Sequence, residues 1–310
     1  MLELVIFLLA IVLDILLGEP PAALHPVVWM GKLASLLERA APRRGPRLRF
    51  LYGALVVVLL VGLFSVGSYL LLLYLKGASP ILYVLVGALL LKSAFSLRGL
   101  RREALRVRTH LVKGELDAAR TGVRSLVGRD TGGLDEPQVV SAVVESVAEN
   151  TCDSFVAPVF FFLFLGVPGA LAYRVINTLD AMMGYHGPYE HLGKFAARLD
   201  DVLNWIPARL SGLLLVLAAS WGWGDGRAAW RDMQGQHGRT ESPNAGWTMS
   251  AAAGALGVEL QKAGHYTLGR GGRPLSPETI DSAVRLMLAA ATIWALVSLT
   301  IMGWRFVLAS

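Results

Sequence analysis

The sequence predicts an all-α, polytopic integral membrane protein with about five or six spans and helical cytoplasmic segments. Three observations carry that prediction. Of 310 residues, 54% are hydrophobic and only 17% are charged, with a mean hydropathy of +0.52. Apolar runs recur along the whole chain, and about 20 residues are enough to cross the hydrocarbon layer. Arginines gather in the connectors rather than inside the runs, the pattern of segments retained on the cytoplasmic side. The net charge of +6 therefore speaks for membrane orientation and anionic ligands, and against nucleic acid. A single cysteine, Cys152, excludes an internal disulfide and offers no thiol set for zinc.

Residues 2–17 are apolar apart from Glu3 and Asp14. Without a basic leader or a small-residue cleavage site they read as a retained first span. Gly18 and the Pro20-Pro21 pair end it. Asp14 and His25 flank the turn, and an aspartate inside a span is functional by default. The connector 38–49 carries five arginines, which places it in the cytoplasm and the N-terminus outside. Residues 50–75 and 80–97 form the next two spans, and Lys92 is expected to snorkel to the inner face. Residues 98–153 form a helical cytoplasmic segment divided by Gly114 and by Gly132-Gly133.

Pro158 and Pro168-Gly169 interrupt residues 155–173, leaving an apolar core of the length expected for a buried or re-entrant helix rather than a crossing one. Residues 210–223 span only if 203–208 join them. Residues 224–285 read as a polar, glycine-rich, basic loop, and 286–306 as the last span. One integrated domain, 1–310, is expected: three spans in 1–97, the polar motifs in 98–209, and the remaining spans with the loop in 210–310.

The chemistry concentrates in residues 129–209. On a helix, Glu145, Glu149 and Asp153 form one column of carboxylates. Like charges at that spacing repel by a few tenths of a kcal/mol, so a metal ion, a cationic substrate or an arginine is expected beside them. Arg174, Asn177 and Asp180 follow one helical turn apart, and then come Arg198, Asp200, Asp201, Asn204 and Arg209. Ion-paired polar faces at a membrane surface are the alternative, but such faces favour Lys and Glu over Asn and paired Asp. The carboxylates have the hard oxygen character of magnesium sites, and the arginines suit anions. Gly269 to Arg273 is either a phosphate cradle or an ordinary turn. No Walker A sequence is present, since Gly187 to Lys194 fails its spacing. These groups together point to phosphate or acyl-phosphate chemistry.

The strings Val127 to Thr131, Val144 to Asn150 (VESVAEN), Asn177 to Met182, Ala197 to Asp201 and Asn204 to Arg209 (NWIPAR) resemble those of the adenosylcobinamide-phosphate synthase family of cobalamin biosynthesis, also called CobD/CbiB. Asp14 to Gly31 and Pro243 to Trp247 match it too, so the resemblance covers essentially the whole chain. It implies a multi-pass enzyme of the cell (inner) membrane with a cytoplasmic active site. That enzyme would use ATP and magnesium to join adenosylcobyric acid to aminopropanol or its O-phosphate as an amide. On this resemblance Glu145, Glu149, Asp153, Asp200 and Asp201 would hold magnesium. Arg129, Arg174, Arg198 and Arg209 would bind phosphates, Asn177 and Asn204 would orient amides, and Asp180 would take the amine proton. Asp130, Asn150 and Asn244 lie in or beside the matching strings and are expected to bind substrate. The lipid bilayer and other late cobalamin-pathway membrane enzymes are the expected partners.

Two departures stand out: Cys152-Asp153-Ser154 replaces a Ser-Asp-Gly-like run, and 186–192 diverges, so nothing is placed on Glu190 or His191. Three rival readings remain. A transporter would use Asp14, Lys92 and interrupted helices, but would put polar groups at mid-membrane depth in matched halves. A prenyl- or alcohol-phosphate transferase would use Asp200 to Asn204 as its metal motif. A non-catalytic scaffold of the corrinoid pathway would need none of these side chains.

Overall fold

The computed structural model describes every residue except Arg129, His186, Pro188 and Ser310. The expected phosphate ligand Arg129 thus lies outside the described residues. Helices α1 (Leu2–Leu16), α2 (Pro26–Arg39), α3 (Pro46–Val61), α4 (Gly67–Ala78) and α5 (Pro80–Ala94) come first. Next are α6 (Leu97–Val112), α7 (Leu116–Val123), α8 (Glu136–Thr151) and α9 (Ala157–Met183). The chain ends with α10 (Lys194–Leu203), α11 (Trp205–Ala218), α12 (Gly226–Gln236), α13 (Ala245–Leu256) and α14 (Pro277–Ala309). A short antiparallel hairpin, β1 (Leu260–Lys262) and β2 (Tyr266–Leu268), pairs Leu260 with Leu268.

Among the described residues five helical stretches are long and apolar enough to cross a membrane: Pro46–Ala78, Pro80–Val112, Glu136–Met183, Trp205–Trp223 and Pro277–Leu308. The expected first span is not among them. Its helix α1 has 15 residues, about 22 Å at 1.5 Å per residue, against a hydrocarbon core of about 30 Å. Residues 205–208 do extend the span that needed them. The proline-interrupted stretch stays helical but is not straight. A π turn at Cys152–Val156 lies just ahead of Pro158, whose ring removes one helical hydrogen bond. Gly166 then adopts φ 66°, ψ −165° inside α9. Phe161 and Tyr173 stack at 5.2 Å across that break, although twelve residues of straight helix would part them by about 18 Å. The chain therefore doubles back at Gly166, the form expected of a re-entrant piece.

Residues 224–285 are not the loop that their glycines suggest. Asp225 caps α12 by accepting from the N–H groups of Arg227 and Ala228, and left-handed Gly257 ends α13. The small residues serve close packing instead: a Cβ on Gly254 would lie 2.5 Å from the Ala228 carbonyl oxygen. Glycine composition cannot tell a flexible turn from a backbone pressed against a neighbour.

Two compact units alternate along the chain. The first comprises Met1–Ser96, Ala157–Leu203 and Ser298–Ser310. Its core holds Ile6, Leu91 and the stacked Phe7 and Phe162 rings. The second comprises Leu97–Val156 and Asn204–Val297, with Val139, Val143, Leu215, Met233 and Leu260 fully buried.

Lys92 does not snorkel. It is 3% exposed, sits 3.1 Å from Asp14 and 3.0 Å from Glu19, and donates to the Phe95 carbonyl at 3.1 Å. His25 bonds the other Glu19 oxygen at 2.7 Å. Burial pushes the Glu19 carboxyl up, but hydrogen bonds from His25, Ser96 and Lys92 with the Lys92 charge outweigh it and bring it down to about 2. A buried charge left without its partner costs about 3–5 kcal/mol. Lys92→Met is therefore expected to lower the melting temperature in detergent well beyond Lys92→Arg. Because the Glu19 pKa is depressed, its contribution to stability is present above the ordinary glutamate value and is lost as pH falls toward 2. Acid titration of wild type against Glu19→Gln measures that loss.

Candidate functional site

In the first unit, α9 and α10 bring the second and third polar groups together. Arg174 Nη1 donates to Asn177 Oδ1 at 3.2 Å, and Asn177 Nδ2 donates to Asp200 Oδ1 at 3.4 Å. Arg174 Nε is buried and has no hydrogen-bond partner among the described residues. The Asp180 and Asp201 carboxylates are close enough to repel each other. Asp200 is buried, while Arg198 is exposed. Burial pushes the Asp201 carboxyl above the usual aspartate value, against the pull of Arg198.

Two glycines that sequence reasoning passed over set this arrangement. A Cβ on Gly193 would lie 1.6 Å from the Met183 carbonyl oxygen, and one on Gly184 would lie 2.1 Å from Asp180 Oδ1. Only glycine lets α10 start this close to the end of α9. Their one signal in the sequence was that they flank the divergent segment. Tyr189 in that segment donates to Glu38 of α2 at 2.6 Å.

The second unit holds the remaining expected residues. Asp135 and Gln138 form a capping box that starts α8. The carboxylate column is broken at its third member, because Asp153 falls in the π turn and no longer follows Glu149 by an α-helical turn. Glu145, 5% exposed, accepts from Ser141 Oγ at 2.7 Å and from Tyr266 OH at 2.8 Å. Ser141 Oγ in turn accepts from the Gln261 N–H at 2.8 Å. The partner expected beside the column is thus, at Glu145, a pair of hydroxyls, one supplied by a hairpin that no sequence pattern announced.

Glu149 and Asn150 are half-buried on α8. Asn150 Nδ2 donates to the Ser146 carbonyl at 2.9 Å, and its Oδ1 accepts from Ser154 Oγ at 3.1 Å. Asn204 is 2% exposed, with the Cys152 thiol 3.7 Å from its Oδ1. The Arg209 guanidinium lies 4.2 Å from the Trp205 ring centroid and 4.7 Å from that of Trp247. Asn244 is buried, its N–H donating to Ser242 Oγ at 3.2 Å. Asp130 is exposed and accepts from the Gly132 N–H at 3.0 Å.

Among the described residues no group of three or more His, Cys, Asp or Glu side chains gathers as a metal-ligand set. Magnesium needs none, because it commonly takes one or two carboxylates and completes its shell with water and substrate phosphates. The adjacent Asp200 and Asp201, with two arginines on the same pair of helices, fit that donor set.

Residues 7–287 match the family model described as CobD/Cbib protein. The cobalamin biosynthesis protein CobD of Dehalococcoides mccartyi is 52% identical over 295 residues, 95% of this chain and 96% of its own length. The CobD of Geobacter metallireducens is 42% identical over 94% of this chain and 95% of its own. The probable CobD of Methanothermobacter thermautotrophicus is 40% identical, over 92% and 93%. No solved structure matches the chain.

The glycine contacts yield a paired test. Gly193→Ala forces a methyl group into backbone that cannot yield, and is expected to cost about 1–3 kcal/mol or more. At Gly303 of α14 an added Cβ meets nothing within 4 Å, so Gly303→Ala is expected to be neutral or stabilising by up to about 1 kcal/mol. Thermal unfolding in detergent separates the two.

Proposed function

Because this chain belongs to the CobD/CbiB family of cobalamin biosynthesis proteins, we propose that it is an adenosylcobinamide-phosphate synthase. It would join a carboxylate of adenosylcobyric acid to aminopropanol, or to its O-phosphate, as an amide. The observation that carries this reading is identity of 40–52% over nearly the full chain to relatives named for cobalamin biosynthesis. The α9–α10 chemistry supports it.

A carboxylate and an amine do not condense readily in water, so the acid must be activated, and transfer of a phosphoryl group from ATP to the carboxylate does this. The amine then attacks the acyl carbon, a C–N bond forms, and phosphate leaves. Arg174 and Arg198 bind the phosphates and offset the charge that grows in the transition state. Asn177, held between Arg174 and Asp200, orients the reacting carboxyl. Asp180 accepts the proton that the amine loses. Magnesium, when bound, neutralises phosphate charge, and Asp200 and Asp201 would hold it.

In the second unit Asn150, Asn204, Arg209, Asn244 and Asp130 are assigned to substrate binding, and Arg129 with them. The Arg209 guanidinium is oriented for this by its two tryptophans. Glu149 and Asp153 are further oxygen donors. Glu145, with an oxygen on each of two hydroxyls, positions the hairpin. The arginine-rich connectors favour a cytoplasmic active site in the cell membrane.

Detergent-purified protein given adenosylcobyric acid, magnesium-ATP and the amine, with or without its phosphate, is expected to form corrinoid amide with one ADP per bond, read by mass spectrometry. Asp180→Asn is expected to lower kcat at least 100-fold with little change in KM. Asp201 acts as an anion and burial raises its pKa. Turnover should therefore fall on acidification at a higher pH than an ordinary aspartate of 3.8 would dictate. Absence of corrinoid product from folded protein overturns the reading.

A further inference from the structure

In the second unit a cleft of about 600 Å³ opens beside the start of α12, the end of α13 and the segment 269–273, with Asp225, Arg231, Asp232, Gly271, Gly272 and Arg273 among its lining. None of these residues is used by the chemistry assigned above. Asp232 is fully buried. Its Oδ1 lies 3.0 Å from Arg231 Nε and 3.8 Å from Arg270 Nε. Its Oδ2 is buried with no hydrogen-bond partner among the described residues. A buried carboxylate oxygen left unsatisfied is costly, so this wall of the cleft calls for an N–H or O–H donor.

The glycine segment is held rather than loose. The Gly269 N–H donates to Gln236 Oε1 at 2.7 Å, and the Arg273 N–H donates to the Gly257 carbonyl at 3.1 Å. Gly271 is pressed so close that a Cβ would lie 1.9 Å from the Gly257 carbonyl oxygen. Arg231, Arg270 and Arg273 are exposed; Arg231 and Arg270 are held through Nε against Asp232, and a guanidinium so anchored can meet an anion with its remaining N–H groups.

We propose that this cleft binds a phosphate ester that also carries a hydrogen-bond donor: the phosphate against Arg231 and Arg273, the donor on Asp232 Oδ2. Sulfate, an anion with no O–H at neutral pH, would leave that oxygen unsatisfied and facing like charge, so the site selects a donor-bearing phosphate ester over sulfate. Two reactants of the proposed ligase have this chemistry, the nucleoside triphosphate through its ribose hydroxyls and the aminoalkyl phosphate through its ammonium group. The inference rests on that ligase reading only for the choice between these two.

The test is calorimetric binding of ATP, of aminopropanol O-phosphate and of sulfate to the full-length protein in detergent. Wild type is compared with Asp232→Asn, Gly272→Leu and the charge control Arg285→Gln. Gly272 lines the cleft and a Cβ on it meets nothing within 4 Å, so Gly272→Leu adds bulk at the cleft from an unobstructed position and serves as the second variant if Asp232→Asn misfolds. Expected are a Kd for one ester weakened at least 10-fold by both cleft variants, a change under 2-fold in Arg285→Gln, and sulfate binding at least 10-fold weaker than the ester. Selective loss of ATP identifies the nucleotide as occupant, and selective loss of the amino ester identifies the amine.

Failure of wild type to bind either ester overturns the proposal. So does binding unchanged in the variants, or sulfate binding as tightly as the esters. Ester binding that the variants abolish, in a protein that makes no corrinoid amide, overturns the ligase reading and leaves the cleft assignment standing.

Discussion

A charge taken out of water must be given a partner, and in a chain this apolar that constraint organises most of the polar structure. Lys92 shows it in its strictest form, closed between Asp14 and Glu19 with a backbone carbonyl as third acceptor. Glu145 satisfies it with neutral groups, one hydroxyl from its own helix and one from the hairpin. The run Arg174, Asn177, Asp200 satisfies it by an amide that accepts from the arginine and donates to the acid. Because desolvation strengthens every such interaction, these groups fix helix positions as well as relieve their own burial cost.

Against that background the incompletely satisfied groups carry the functional information. Arg174 Nε and Asp232 Oδ2 are buried and unpartnered among the described residues, one a donor on the helix that also carries Asn177 and Asp180, the other an acceptor in a cleft lined by arginines. The crowding of Asp180 and Asp201 belongs with them. Repulsion between neighbouring carboxylates is relieved by a proton or by a cation, the two species that the proposed amide formation would use.

Small residues set the distances at which these groups meet. Gly193 and Gly184 bring α10 against the end of α9, Gly254 brings α13 against α12, and Gly271 locks the 269–273 segment onto Gly257. An added methyl group in any of them would collide with backbone, which cannot rotate away. In helices that must pack without a hydrophobic drive from surrounding lipid, such close approach is a main source of association energy.

The amino-acid sequence by itself determined the class and the inventory. Long apolar runs with arginine-rich connectors specify a multi-span helical protein, because apolar length and flanking charge are local properties. Pro158 and Pro168-Gly169 marked 155–173 as an interrupted helix, since proline and glycine act on their own backbone, but the reversal at Gly166 came from the structure. The motif strings pointed to the family whose model matches residues 7–287. Tertiary structure alone decided the rest. Only packing shows that Lys92 is paired rather than snorkelled, that 224–285 folds into helices and a hairpin rather than a loop, and that Tyr266 donates to Glu145. Each depends on residues brought together from distant parts of the chain, and spacing along a helix reports only the neighbours three or four residues away.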